Sequence, residues 1–210
     1  MIITYYVSLM SPYAYLGAER FLQIAGNYNA IIKYKPTNMK IVFPKTGGLP
    51  LAKRSSARKN YRLTELRRWS NYSKIPLNLN PKHYPTSEWP AAGIIMHLQS
   101  KGLEPGRLLN KFLRAVWVED RNIGDFNTIL EIVNEAGLDG DGLLKSGQNI
   151  NLKKEWGKNS LDAIKNGVFG VPSYLFDNEL FWGQDRLNFL EYALSKASTI
   201  TNEKLKNEPL

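Results

Sequence analysis

Residues 167–187 read GVFGVPSYLFDNELFWGQDRL. Two short, aromatic-rich runs, SYLFD (173–177) and ELFW (179–182), flank a tight turn at Asp177-Asn178. That pattern predicts an antiparallel hairpin. Val171-Pro172 stands at the mouth of the first strand, and Trp182-Gly183-Gln184-Asp185-Arg186 follows the second. A last helix is predicted over about 185–197, with Leu187, Leu190, Ala193 and Leu194 as its apolar stripe. Asp185 falls at or before the start of that helix, where it could cap it or hold a ligand's ammonium group; the two roles are compatible.

Upstream of the hairpin the pattern is helical from about residue 52 to 166. Helices are predicted over 56–73, 87–100, 105–121, 125–136 and 151–166, punctuated by Gly102, Gly124 and Gly137, with Asp125 as an N-cap. The β pattern recurs at the start of the chain. Residues 3–9 (ITYYVSL) suit a buried strand, and Ser11-Pro12 then reads as an N-cap followed by a first helical residue. The helix runs to about Ala25, and 30–35 (AIIKYK) forms a second strand. Strand, helix and strand with short connections imply a right-handed parallel βαβ unit. The element order is therefore βαβ, a helical block, then ββα with the last helix of the block in front. This is an α/β chain of thioredoxin-like fold with an inserted all-helical domain: 1–50 and 167–210 form the discontinuous thioredoxin-like part, and 51–166 the insertion.

Composition narrows the chemistry. The chain has 210 residues, of which 43% are apolar, enough for a sizeable core. No run reaches the roughly 18 apolar residues of a membrane span. MIITYYVSLMSPY at the start has no basic stretch ahead of an apolar one, so no signal peptide is read and a cytoplasmic location is expected. There is no cysteine, which removes disulfides, zinc thiolates and cysteine nucleophiles together. His83 and His97 are the only histidines, a poor basis for a metal site or a Ser-His-Asp triad. Asp139-Gly140-Asp141-Gly142 opens like a calcium loop, but the position that needs Glu holds Ile150. No phosphate-binding GxxxxGK[ST] run is present. The net charge of +9 fits nucleic-acid binding, attraction of small anions, or simply a solvated basic surface. Its densest stretch, Lys53 to Arg68, is helical in composition and contains one acid, Glu65. Trp69, Trp117 and the N-terminal tyrosines could line an aromatic pocket, although most read as core.

Three segments could carry chemistry together. Ser11 lies where a strand meets a helix, and backbone N–H groups at such an N-terminus favour an anion. The segment GVFGVPSYLFD resembles the cis-proline loop of thioredoxin-fold proteins, in which the residue before proline turns its backbone towards the site. The chain as a whole resembles the 2-hydroxychromene-2-carboxylate isomerases, relatives of kappa-class glutathione transferases and of disulfide-bond oxidoreductases. The matching stretches are VSLMSPYAYLG (7–17), YRLTELRRW (61–69), FLRAVWVEDRNI (112–123) and the terminal GVFGVPSYLFDNELFWGQDRL.

The resemblance implies glutathione as cofactor. Ser11 would stand at its sulfur as stabiliser, not nucleophile. Val171, through a cis bond to Pro172, would pair its backbone with the cysteinyl part, and Asp185 would hold the γ-glutamyl end with Gln184 and Arg186 nearby. Many kappa-type relatives carry an Asn shortly before a Pro where this chain has Gly48-Leu49-Pro50. Lys53 is the expected substitute partner for the glycyl carboxylate. The implied reaction interconverts 2-hydroxychromene-2-carboxylate and trans-o-hydroxybenzylidenepyruvate, or a related aromatic 2-oxo acid, by reversible thiolate addition. A kappa-type transferase would use the same site, and a non-catalytic binding module of the same fold is the alternative from another class. The lack of cysteine excludes a thiol–disulfide oxidoreductase. No nucleic acid or membrane partner is expected, and the resemblance leaves room for a homodimer.

Overall fold

A computed structural model describes residues 1–206. Strand β1 (Ile2–Val7), helix α1 (Pro12–Asn27) and strand β2 (Ile31–Pro36) form the opening βαβ unit. Helix α2 (Met39–Thr46) and a 3-10 turn (Leu51–Lys53) lead into α3 (Ser56–Ser73), α4 (Trp89–Ser100), α5 (Gly106–Trp117), α6 (Phe126–Glu135), α7 (Gly140–Gly147) and α8 (Ile150–Lys165). Strands β3 (Ser173–Phe176) and β4 (Glu179–Trp182), a second 3-10 turn (Gln184–Arg186) and α9 (Leu187–Lys206) complete the described chain.

The four strands form one sheet in the order β2-β1-β3-β4. β1 runs parallel to β2 and antiparallel to β3, pairing Tyr5 with Tyr34 on one side and with Tyr174 on the other. Asp177 and Asn178 both adopt positive φ, 49° and 63°, as a two-residue hairpin turn between twisted strands requires. The alternation of β1 divides the core. Ile3, Tyr5 and Val7 join the large cluster with α1, α4, α5 and α9, and Tyr6 points into a smaller one with Val42 of α2 and Ala163 of α8. Tyr5 stacks on Tyr174 at 5.2 Å between ring centroids and packs against Phe21 at 4.6 Å. On the second face the Tyr6 hydroxyl donates to Asp162 at 2.6 Å, and Lys35 pairs with the same oxygen at 2.5 Å, tying α8 to β1 and β2.

Helix α4 also grips the sheet edge. The Gln99 side-chain amide of α4 accepts from Tyr34 N–H at 2.6 Å and donates to Tyr34 C=O at 3.0 Å, in the manner of a neighbouring strand.

Several boundaries differ from the sequence reading. β1 stops at Val7, two residues early, because Ser11 N–H donates to Ser8 C=O and residues 8–11 turn. α5 ends at Trp117, four residues early, as Val118 and Glu119 donate back to Arg114 C=O and Asp120 takes φ 58°. α2 was not foreseen: it spans only eight residues and contains Pro44, which reads locally as a breaker. α7 was hidden by its glycines. Asp139 proves to be its N-cap, accepting from Gly142 N–H at 3.0 Å, which is the structural use of the calcium-loop-like run. A Cβ on Gly93 of α4 would stand 2.1 Å from Gly147 C=O of α7, so the two helices meet backbone to backbone.

Candidate active site

The site is assembled where α1 begins. Ser11 caps α1 with φ −97° and ψ 115°, its hydroxyl accepting from Ala14 N–H at 3.2 Å. Pro12 occupies the first turn, and no acid lies there to compete for an anion. The same hydroxyl donates to Val171 C=O at 3.1 Å. The Val171–Pro172 peptide is cis, and Gly183 N–H donates to Pro172 C=O at 2.9 Å, which draws the segment after β4 alongside. Ends of the chain 160 residues apart thus meet through one side chain.

Two clefts meet at this point. The first, about 610 Å³, lies over Val171, Pro172 and the 3-10 turn Gln184–Arg186. The second, about 440 Å³, lies over Ser8, Met10 and Ser11 and is walled by Met39, Phe43, Tyr84 and Phe169. They share Tyr13, Arg54, Arg58, Arg62, Val171 and Trp182.

Gln184 is buried with its side-chain N–H₂ lacking a protein partner, yet it lines the first cleft. It can reach that position because α1 carries Gly17: a Cβ there would stand 2.7 Å from Gln184 Cβ. Asp185 is exposed and pairs with Arg186 at 2.8 Å. It makes no capping bond, because the 3-10 turn intervenes before α9. Ser11, Val171, Pro172, Gln184, Asp185 and Arg186 are therefore brought together. Lys53 is not. It is exposed and lines neither cleft, whereas Arg54 lines both. Arg54 follows the 3-10 turn with extended backbone, φ −78° and ψ 152°, and its Nε donates to Leu49 C=O.

Other residues at the site went unread. Arg58 and Arg62 of α3 stand one turn apart and face the cleft together, as their i, i+4 spacing inside the basic stretch allows. Burial lowers the pKa of the Arg62 guanidinium and raises that of the Tyr13 hydroxyl. Trp69 lines the first cleft, and Trp117 is fully buried in the core.

Glu88 had no sequence signal at all. Its Oε2 accepts from Ser8 hydroxyl at 2.8 Å and from Leu9 N–H at 2.7 Å, pinning the loop that leads into Ser11. Burial raises its pKa to about 7, outweighing the bonds from Ser8, Leu9 and Met10 and the charge of Lys40, which act to lower it. The Ser8 and Leu9 bonds both reach Oε2.

This is a thioredoxin-type site in which a serine hydroxyl occupies the start of the first helix and no thiol is present. Residues 2–195 match the DSBA-like thioredoxin domain, and the chain belongs to that family. It is 27% identical over 194 residues to a 2-hydroxychromene-2-carboxylate isomerase of Sphingobium xenophagum, covering 90% of this chain and 95% of the relative. It is 22% identical over 209 residues to the glutathione S-transferase kappa 1 of Rattus norvegicus, covering 93% and 91%. A solved 2-hydroxychromene-2-carboxylate isomerase shares the fold with a TM-score of 0.75 and 24% identity, over 98% of this chain and 99% of that one. No helix among the described residues is long and apolar enough to cross a membrane.

Proposed function

We propose that this chain is a glutathione-dependent isomerase that interconverts 2-hydroxychromene-2-carboxylate and trans-o-hydroxybenzylidenepyruvate, or a related aromatic 2-oxo acid. The observation that carries this reading is the Ser11 hydroxyl, 3.1 Å from Val171 C=O at the junction of two clefts. The names of the similar isomerase and kappa transferase support it.

The residues present fit glutathione. Val171 offers its backbone, and its carbonyl keeps a second lone pair beside the Ser11 bond. Gln184 offers an unpaired amide donor, Asp185 an exposed carboxylate for an ammonium group, and Arg54 with Arg58 positive charge for carboxylates. When bound, glutathione supplies a thiolate able to add reversibly to a conjugated double bond and leave again, so that the bond is single while it rotates.

The protein's part is electrostatic. Swung about its Cβ–Oγ bond, the Ser11 hydroxyl donates to an anion at the start of α1, where the helix N-terminus also favours negative charge. Lowering a thiol pKa from about 8.5 to about 7 raises its ionised fraction at pH 7 from roughly 3% to about half. The aromatic wall of the second cleft receives the substrate ring and excludes water from the reacting bond.

Incubation with 2-hydroxychromene-2-carboxylate, with and without glutathione, tests the reading through the ultraviolet spectrum. Glutathione-dependent conversion with no consumption of glutathione is the expected result. Accumulation of a stable conjugate would instead make the chain a transferase, and no glutathione binding at millimolar concentration would favour a binding module.

A further inference from the structure

Arg62 is an anomaly among the arginines. Arg68, Arg114, Arg121 and Arg186 are each paired with a carboxylate, Arg20, Arg58, Arg67 and Arg107 are exposed, and Arg54 donates to Leu49 C=O. Arg62 is more deeply placed, and among the described residues no acid pairs with it. Its guanidinium instead lies 5.9 Å from the ring centroid of Tyr84 and 6.0 Å from that of Trp117. Two aromatic faces compensate only part of the cost of removing a cation from water, and a carboxylate would compensate more. Burial already lowers the Arg62 pKa, with Arg54 adding repulsion against the favourable influence of Tyr84 and Tyr13.

The surroundings state what anion belongs there. Arg62 lines the second cleft beside Tyr13, Tyr84, Phe43 and Phe169. A cleft walled by four aromatic rings beside a planar, double-donor cation suits a planar aromatic ring that carries a carboxylate. Arg54 is tethered at the other end of the row, its Nε donating to Leu49 C=O at 2.9 Å, and Arg58 is exposed. The three cations therefore do not compete for one place.

We propose that Arg62 is the carboxylate anchor of the second cleft, pairing with the acid group of a flat aromatic substrate whose ring lies among Tyr13, Tyr84, Phe43 and Phe169. The inference rests on the reading above in taking the second cleft as the substrate's place. Arg62 then fixes which end of the molecule faces Ser11, so it selects acids over neutral compounds of the same shape.

Calorimetric titration tests this without turnover. The probes are benzylidenepyruvate and its uncharged amide, added to the full chain without glutathione; glutathione is titrated separately. The chain should bind the acid about 10- to 150-fold more tightly than the amide, the range of one charge-assisted hydrogen-bonded contact. Arg62→Gln should reduce acid binding to the level of the amide while leaving the amide unchanged. Arg62→Lys, which keeps the charge and loses the fork, should restore part of the preference. Melting curves establish that the variants are folded.

Lack of a preference for the acid in the unaltered chain overturns the proposal. So does a preference that survives in Arg62→Gln, or a loss of acid and amide binding in equal measure. If Arg62→Gln abolishes glutathione binding while keeping the acid preference, Arg62 serves the cofactor and the proposal is likewise overturned. An Arg62-dependent acid preference in a chain that does not bind glutathione supports the anchor and defeats the cofactor reading instead.

Discussion

Helices α1 and α3 contribute to the same cleft and are held in opposite ways. α1 buries eight of its 16 residues against the sheet and α5, and its first turn is fixed by Ser11, Ala14 and Val171. α3 buries Leu66 alone among its 18 residues and presents unpaired Arg58 and Arg62 to the cleft. On the proposed reading the chemistry would sit on the firmly packed helix, and the charges that would recognise carboxylates on the lightly packed one. A reaction needs atoms held to fractions of an ångström; on the lighter helix Arg62 is steadied by the Tyr84 and Trp117 rings, while exposed Arg58 can attract an anion over distance.

Loss of the α3 anchor is the severest way to break this contrast. Leu66→Ala should cost about 2–5 kcal/mol, the range for a fully buried leucine. Hydrogen exchange should show faster opening of α3 amides and little change in α1. Equal loss of protection in both helices would mean that the two walls behave as one body.

The next largest effect concerns the loop beneath the firm wall. An acid whose pKa rises from 4.5 to about 7 binds its proton more tightly in the folded chain than in the unfolded one. Its contribution to stability therefore falls as pH climbs through that interval, by about 3 kcal/mol in full, and stays low above pH 7. Glu88→Gln keeps an oxygen to accept from Ser8 and Leu9 and removes the titration. Its melting temperature should exceed that of the unaltered chain by roughly 5–10 °C at pH 8 and by much less at pH 5. A gap that does not change with pH would show that Glu88 does not titrate in this range.

Ser11→Ala sharpens the chemical side at a smaller cost in stability, about 1 kcal/mol for a lost cap. Its activity should fall about 10- to 150-fold, equivalent to about 1.5–3 kcal/mol of one charge-assisted bond, and its pH–rate profile should move upward. The sign follows from the thiol: with one donor gone its pKa is higher, so the same ionised fraction needs a higher pH. A lower melting temperature with an unmoved profile would reduce Ser11 to a cap.

The contrast between the helices also explains what could be read in advance. The sheet, α1 and the hairpin follow from local signals, since ITYYVSL, Ser11-Pro12 and Asp177-Asn178 each match one element by short-range chemistry. Ser11 stood out because it sits at the end of one of those elements, whereas Val171 and Gln184 came from the family resemblance. Glu88 was not, since its partners Ser8 and Leu9 are about 80 residues away and nothing near Glu88 marks it. Arg62 was visible only as one cation in a basic run. Its distinction is to be half-buried against two aromatic rings without an acid beside it, which spacing along a chain does not record. Lys53, the expected substitute where the chain departs from the kappa-type pattern, stands beside the groove, and its neighbour Arg54, extended after the 3-10 turn, lines both clefts.

Gln99 has a consequence for how the molecule can associate. An outer strand with free N–H and C=O groups is a template on which another chain can add and on which aggregates can grow. On β2 the amide of Gln99 occupies the Tyr34 groups that an incoming strand would need first. The β2 edge is thereby capped at Tyr34 by α4, which leaves β4, four residues long and ending beside the cleft at Trp182, as the other outer strand.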